Sequence, residues 1–374
     1  MLEKPIIIVG GGLWGSLLAI RLKQRHPGVN FKLYEATSTL GEGLSLSFHQ
    51  TDLSPESMKW LKPFITHQWK KFQVEFPRFH KSIDDTYCTI HSQDFDKKLK
   101  EELAQANVVF NHDISLEEAL TEGAYVIETR NQGYFKAQGY QKSLALQVRV
   151  SGHHGLTIPM TVDATVEQKS GFRYLQYLPL DESTLLVKDI RYSVSPALYD
   201  QYFEEDILCD MKLRGWEPAE VLSREHDFRK VPLEEFMPQT AGRVIRLEGF
   251  YHDTTGEVLP DAVRLIDRMV QTSFRYGELT EVVKTYQMER SSKKKVMRSL
   301  NRLLYQQTTP CHGRYQFMQL LYQMPQQMRH KFYAGDLEMM DIVKAVMGKP
   351  LMPILRLASH LITFPTRNQV KATA

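Results

Sequence analysis

Pro5-Ile6-Ile7-Ile8-Val9-Gly10-Gly11-Gly12-Leu13-Trp14-Gly15 is the stretch that decides the fold. Its first five residues form a continuous apolar run rich in β-branched side chains, as expected of a parallel strand buried on both faces. The run passes directly into Gly10-x-Gly12-x-x-Gly15. The following Ser16-Leu17-Leu18-Ala19-Ile20-Arg21-Leu22 has the apolar positions of a helix packed on a sheet. Small residues at Gly10 and Gly12 let the backbone turn tightly and approach a pyrophosphate, and Gly15 lets helix and strand close on each other. The next apolar strand, Phe31-Lys32-Leu33-Tyr34, ends in Glu35, 20 residues after Gly15, where a carboxylate can accept bonds from ribose hydroxyls. Strand, glycines, helix, strand and acid together predict an α/β, Rossmann-like domain holding an adenosine dinucleotide at Gly10, Gly12, Gly15 and Glu35. FAD and NAD share this fingerprint, so the motif alone does not choose between them.

Outward from that turn, the chain has 374 residues, 42% hydrophobic, 24% charged and 10% aromatic, which excludes disorder, collagen and coiled coil. Lys plus Arg exceeds Asp plus Glu by only 47 − 44 = 3, too even a balance to argue for nucleic acid. The charge is nevertheless uneven along the chain. Residues 281–374 hold 15 basic and 5 acidic side chains, and 9 of the 15 methionines. They also carry the apolar runs Leu351-Met352-Pro353-Ile354-Leu355 and Leu361-Ile362-Thr363-Phe364. A basic, greasy segment fits a membrane surface; it also fits a helical cap whose lysines and arginines are solvated. No apolar stretch approaches the roughly 20 residues of a spanning helix, and the run at Pro5 opens a strand rather than a signal peptide. Cys88, Cys209 and Cys311 lack CxxC spacing and the 13 histidines lack HExxH. Neither a disulfide framework nor a metal site is expected, and a cytoplasmic location is.

The patterning predicts a discontinuous dinucleotide-binding domain over 1–130 and 240–276. Its later parts are a helix over Gln93 to Ala104, short strands near Val108 and Ala124, a late strand within Gly242 to Gly249 and a helix from Leu259. Residues 131–239 read as a second, mainly antiparallel domain, from strand-like runs at Ser143 to Val150, Met160 to Val166, Phe172 to Pro179 and Thr184 to Ile190. Residues 277–374 read as a basic helical region.

Several blocks resemble one family, the FAD-dependent bacterial lycopene β-cyclases, within the flavoproteins built like aromatic hydroxylases. Ser47-Phe48-His49-Gln50-Thr51-Asp52-Leu53 is similar to their WSFHDxDL segment, with Leu46 for the tryptophan and Gln50 for the aspartate. Phe76-Pro77-Arg78-Phe79, Tyr87-Cys88-Thr89-Ile90, Gly139-Tyr140-Gln141, Asp163 to Gln168 and Gly171 to Tyr174 look like further blocks. Thr254-Thr255-Gly256 with Leu259-Pro260-Asp261-Ala262-Val263 resembles the flavin contact TTGYSLPxAV, and Asn301 to Leu304 with Arg329 to Gly335 matches the helical tail. The resemblance implies a flavin-hydroxylase-type fold with an antiparallel substrate domain, and FAD held also by Thr255 and Gly256. It implies reduced flavin generated by NAD(P)H, peripheral attachment to a membrane, and cyclisation of the acyclic ends of a carotenoid or related polyene without net redox change.

The match breaks at the chemistry. The family's LLxEDT acid is replaced by Lys188 in Leu185-Leu186-Val187-Lys188-Asp189, and Glu257 and Val258 replace the tyrosine and serine of TTGYS. A lysine cannot protonate an alkene, and its charge beside a developing cation is repulsive. Asp189 is therefore expected to lead as acid, with Glu225 and Glu257 behind it. Two other readings stay open: a flavin-dependent monooxygenase or reductase on an apolar substrate, and a cyclase descendant that binds without turnover.

Overall fold

The computed structural model describes residues 4–130, 139–168, 171–197, 200–231, 242–247, 249–305, 311–338 and 340–341. Ile6–Val9 is the middle of a five-stranded parallel sheet, ordered Val244–Arg246, Tyr125–Glu128, Ile6–Val9, Phe31–Tyr34, Val108–Val109. Its uninterrupted apolar sequence is explained by cover on both sides. Ile6 and Ile8 pack with the helices Leu13–Arg25 and Leu259–Met269, while Ile7 and Val9 pack with Ile114 and Ala119 on the other face. The late strand joins at the edge beside Tyr125–Glu128.

A second sheet has seven strands, ordered Pro218–Val231, Gly139–Val150, Thr184–Ser193, Phe172–Pro179, Met160–Asp163, Phe72–Phe76, Phe79–Ile83. All its pairings are antiparallel except Met160–Asp163 with Phe72–Phe76. Two of its strands thus come from residues 72–83, inside the stretch expected to belong wholly to the dinucleotide domain. Phe72, Val74 and Phe76 alternate with Gln73 and Glu75, and burying that one apolar face requires the larger sheet. Leu46–His49, Tyr87–Ile90 and His67–Trp69 form a small third sheet.

The two faces of the seven-stranded sheet have different covers. Helix Asp200–Leu213 lies on one, packing Phe203, Ile207 and Met211 against Leu144, Leu146, Leu175 and Val187. On the other, Phe172, Tyr174, Ile190 and Tyr192 share a core with Met297 and Tyr305 of helix Tyr276–Tyr305, Tyr322 of Cys311–Gln323 and Phe332 of Gln326–Tyr333. The described part of the basic C-terminal region is thus a cap with its apolar side on the sheet. Its apolar runs at 351–355 and 361–364 lie outside the described residues. Among the described residues no helix is long and apolar enough to cross a membrane.

Candidate active site

The glycine turn sits at the end of the first strand, against the start of helix Leu13–Arg25. Gly10 has φ +99, and a Cβ on Gly15 would lie 1.8 Å from the Gly10 carbonyl oxygen, so no larger residue lets helix and strand approach this closely. Glu35, at the end of the neighbouring strand, accepts from the Gly11 N–H at 2.7 Å, and its other oxygen accepts from the Thr37 N–H and hydroxyl at 2.8 Å. The turn, the helix N-terminus and the acid are thus brought to one place, as the spacing predicts. Backbone N–H groups there suit a pyrophosphate. From this point the chain runs through Glu42, packed over Gly12, into Leu44 to Ser47, which wall a cleft.

That cleft lies between the turn Thr255 to Leu259 and the capped face of the seven-stranded sheet. Strand register arranges the sheet face as a grid. Arg229, Gln141, Tyr192 and Phe172 stand in one row; Asp227, Ser143, Ile190 and Tyr174 in the next; Glu225, Ala145, Lys188 and Gln176 in the third. The turn opposite is held tightly. Gln141 donates to the Thr255 carbonyl at 2.8 Å and Tyr192 donates to that of Thr254 at 2.8 Å. Gly256 has φ +76, and a Cβ there would meet Gln141 Oε1 at 2.0 Å. Beside it Arg229 Nη1 is a buried donor with no acceptor among the described residues.

Four charged groups meet in this cleft. Asp227 accepts from Arg229 Nε at 2.8 Å. Burial pushes the Asp227 carboxyl up, but Arg229 and Lys188 together outweigh it and hold it below the ordinary carboxylate range. Glu257, which accepts from the Thr255 hydroxyl, moves the other way. Burial raises its carboxyl against the opposing effects of that bond, Lys188 and Arg229. Lys188 is lowered by burial and by Arg229, although Asp227, Glu225 and Glu257 pull it up. The cleft therefore moves its two acids in opposite directions, Asp227 down and Glu257 up. Tyr87 and Tyr174 line the cleft, and Tyr192 stacks behind Tyr174 at 6.4 Å between ring centres.

The expectation that Asp189 leads as acid is corrected by strand parity. Asp189 pairs with Leu144 and Leu175 and faces helix Asp200–Leu213, where it accepts from Arg173 Nε at 2.9 Å and Arg191 Nη2 at 2.6 Å. It is wholly buried in that ion-pair network and turned away from the cleft. Glu225 is on the cleft face, but its oxygens already accept from the Ser45 N–H at 2.7 Å, the Ser45 hydroxyl at 2.8 Å and the Ser92 hydroxyl at 2.6 Å. It ties the loop at Ser45 to the start of helix Ser92–Leu103 rather than offering a proton. Asp227 and Arg229 were not singled out from the sequence, although Glu225, Asp227 and Arg229 recur at period two, the mark of one strand face. Among the described residues no cluster of His, Cys, Asp and Glu can hold a metal ion.

The sequence pattern of the lycopene cyclase protein family matches residues 5–359. The chain belongs to the lycopene cyclase family. It is similar to the lycopene beta-cyclase of Pseudescherichia vulneris, with 32% identity over 94% of this chain and 95% of that one. It is also similar to that of Pantoea ananas, with 30% identity over 96% and 98%. In fold it is similar to a geranylgeranyl bacteriochlorophyll reductase-like protein from Thermoplasma acidophilum, with TM-score 0.58 and 13% identity over 96% of this chain and 99% of that one. Klebsiella pneumoniae HpxO in complex with FAD gives a TM-score of 0.57 and 12% identity over 94% and 99%.

In this lycopene cyclase family member the tail block Arg329 to Gly335 supports the cleft. His252 Nε2 lies 2.6 Å from the Phe332 carbonyl and so must donate, which leaves Nδ1 to accept from the Thr254 and Thr255 N–H groups at 3.3 and 3.0 Å. The terminal helices thereby hold the Thr254 to Gly256 turn in place. Burial pushes the His252 imidazole down to about 4, so the tautomer that makes these bonds persists at neutral pH.

Proposed function

We propose that this protein is a flavin-dependent cyclase acting on the acyclic end group of a carotenoid or related polyene, with Glu257 as the acid. The observation that carries the reading is a half-buried carboxyl, raised by its surroundings, on the wall of a cleft faced by tyrosine rings. Glu257 gives its proton to the terminal alkene; the neighbouring double bond attacks the resulting cation and closes the ring. A ring proton then leaves to a carboxylate, so no electrons are gained or lost overall. The faces of Tyr174 and Tyr192 suit the passing positive charge. Asp227, kept ionised by Arg229, supplies negative charge to the same space.

The residues fit FAD. Gly10, Gly12, Gly15 and Glu35 would hold its adenosine diphosphate half, and Thr255, Gly256 and the unpartnered Arg229 Nη1 its ring system. Reduced by NAD(P)H, the bound group would supply negative charge to offset the developing cation. The basic C-terminal region is proposed to rest on the membrane from which an apolar polyene enters.

Expression in a lycopene-accumulating host, with bound flavin confirmed and pigments separated by chromatography, tests the reading. The natural chain is expected to yield a cyclic product. Glu257→Gln is expected to lose about 100-fold or more of that activity with flavin retained, the scale of removing a general acid, while Asp189→Asn loses folded protein instead. A folded, flavin-loaded natural chain that leaves lycopene acyclic overturns it. Oxygen uptake coupled to NAD(P)H would turn the assignment to a monooxygenase.

A further inference from the structure

We propose that the cleft also captures polyene aldehydes, as a protonated imine at Lys188. This rests on the cleft being a polyene site, and does not depend on cyclisation taking place there.

Lys188 points into the cleft from the middle of the sheet, between Ala145 and Gln176 of the adjacent strands. Ala145 leaves only a methyl group beside it. Among the described residues its amine makes no hydrogen bond and no ion pair, although Glu225, Asp227 and Glu257 all stand close enough to act on its charge. Each carboxylate has its own donors: Glu225 the serines at 45 and 92, Asp227 Arg229, Glu257 Thr255. A half-buried cation without a bonded partner is costly, and a lysine so placed shifts towards its free amine. The amine is lowered by burial, as such a position requires. In its free-amine form Lys188 is a nucleophile, and an aldehyde is the electrophile with which it bonds reversibly and without a co-reactant. Tyr87, Tyr174, Leu178, Leu186 and Ile190 supply the apolar and aromatic wall that a conjugated chain would lie against.

The step balances with groups at hand. Lys188 Nζ attacks the carbonyl carbon, and one of its protons passes to the carbonyl oxygen. Glu257 supplies the second proton, and the oxygen leaves as water while the carbon–nitrogen double bond forms. The imine nitrogen keeps one proton and a positive charge, which the new Glu257 carboxylate and the ionised Asp227 offset. A lysine that opposes a free carbocation is thus suited to a substrate whose positive charge resides on the lysine itself.

The test incubates the flavin-loaded full chain with all-trans-retinal as the aldehyde probe. Borohydride then traps any imine, and peptide mass mapping locates it. Modification of Lys188 is expected to be about tenfold faster than that of any surface lysine, because the cleft holds the aldehyde against the amine and enclosure favours its unprotonated form. Before trapping, the bound aldehyde should absorb to the red of the free one, and Asp227→Asn should move that band. Lys188→Met and Lys188→Arg should abolish both signals while flavin content and melting temperature report folding. Because a variant can misfold, protection of Lys188 in the natural chain by an acyclic C40 hydrocarbon gives the same answer without substitution. Labelling spread evenly over surface lysines, or unchanged by the hydrocarbon, overturns the proposal. A chain that cyclises lycopene but forms no adduct breaks only this inference; one that forms the adduct but no ring breaks only the cyclase reading.

Discussion

Both faces of the seven-stranded sheet enclose charged side chains, and the two differ in how completely these are paired. Under helix Asp200–Leu213, Arg173 bonds Asp189 and Asp210, and Arg191 bonds Asp189 and Asp206, with nitrogen to oxygen distances of 2.6 to 2.9 Å. On the cleft face Lys188 has no bonded partner among the described residues, Arg229 Nη1 has no acceptor, and Glu257 is held by one hydroxyl. Closed networks of opposite charge specify and hold a fold; groups left short of partners are available to a ligand. The same strand, Thr184–Ser193, carries both kinds at adjacent positions.

The comparison fails or sharpens at four substitutions. The largest effect is expected at Arg173→Met, which removes one of the two arginines bonded to the wholly buried Asp189, together with the partner of Asp210, and should cost about 3 to 5 kcal/mol in denaturant unfolding. If it costs less than 1 kcal/mol, the outer network is not what holds the sheet. Second is the pH response of His252, whose folded pKa near 4 lies below its ordinary 6.5. The unfolded chain takes up the proton first, so this contribution is complete above pH 6.5 and is lost as pH falls towards 4. The stability difference between the natural chain and His252→Gln should shrink by up to about 1.4 kcal/mol per pH unit across that window, as followed by melting temperature.

Third, Ser45→Ala removes one hydroxyl bond to the Glu225 carboxylate and should cost about 1.5 kcal/mol, read as a lower unfolding midpoint with an unchanged slope. The smallest effect belongs to Lys188→Met. Exchanging a half-buried amine without a bonded partner for an apolar side chain of similar length should leave stability within about 1 kcal/mol of the natural chain, or raise it. Should Lys188→Met destabilise as much as Arg173→Met, the two faces do not differ in the way the contacts indicate.

Much of the nucleotide half was legible in the sequence, because its signals are local. Gly10, Gly12, Gly15 and Glu35 lie within 26 residues, and each answers to backbone geometry or to a strand end. Glu257 was on the list of candidates through the Thr254-Thr255-Gly256 block, but nothing local ranked it above Asp189. The hairpin at 72–83 shows the same limit. Its alternating pattern announces a strand with one apolar face, not which sheet that face will cover.

The sequence by itself determined that residues 5–35 make a dinucleotide-type turn, since the steric demands at Gly10 and Gly15 are met or broken within a few residues. It also determined that the strand-like runs between Ser143 and Ile190 would form a mainly antiparallel sheet. Only the tertiary structure decided which face meets the turn at Gly256 and which meets the helix Asp200–Leu213. That choice rests on packing between segments separated by tens to more than a hundred positions in the chain. Because side chains alternate along a strand, it turns Lys188 to the cleft and Asp189 to the frame with a single-residue step.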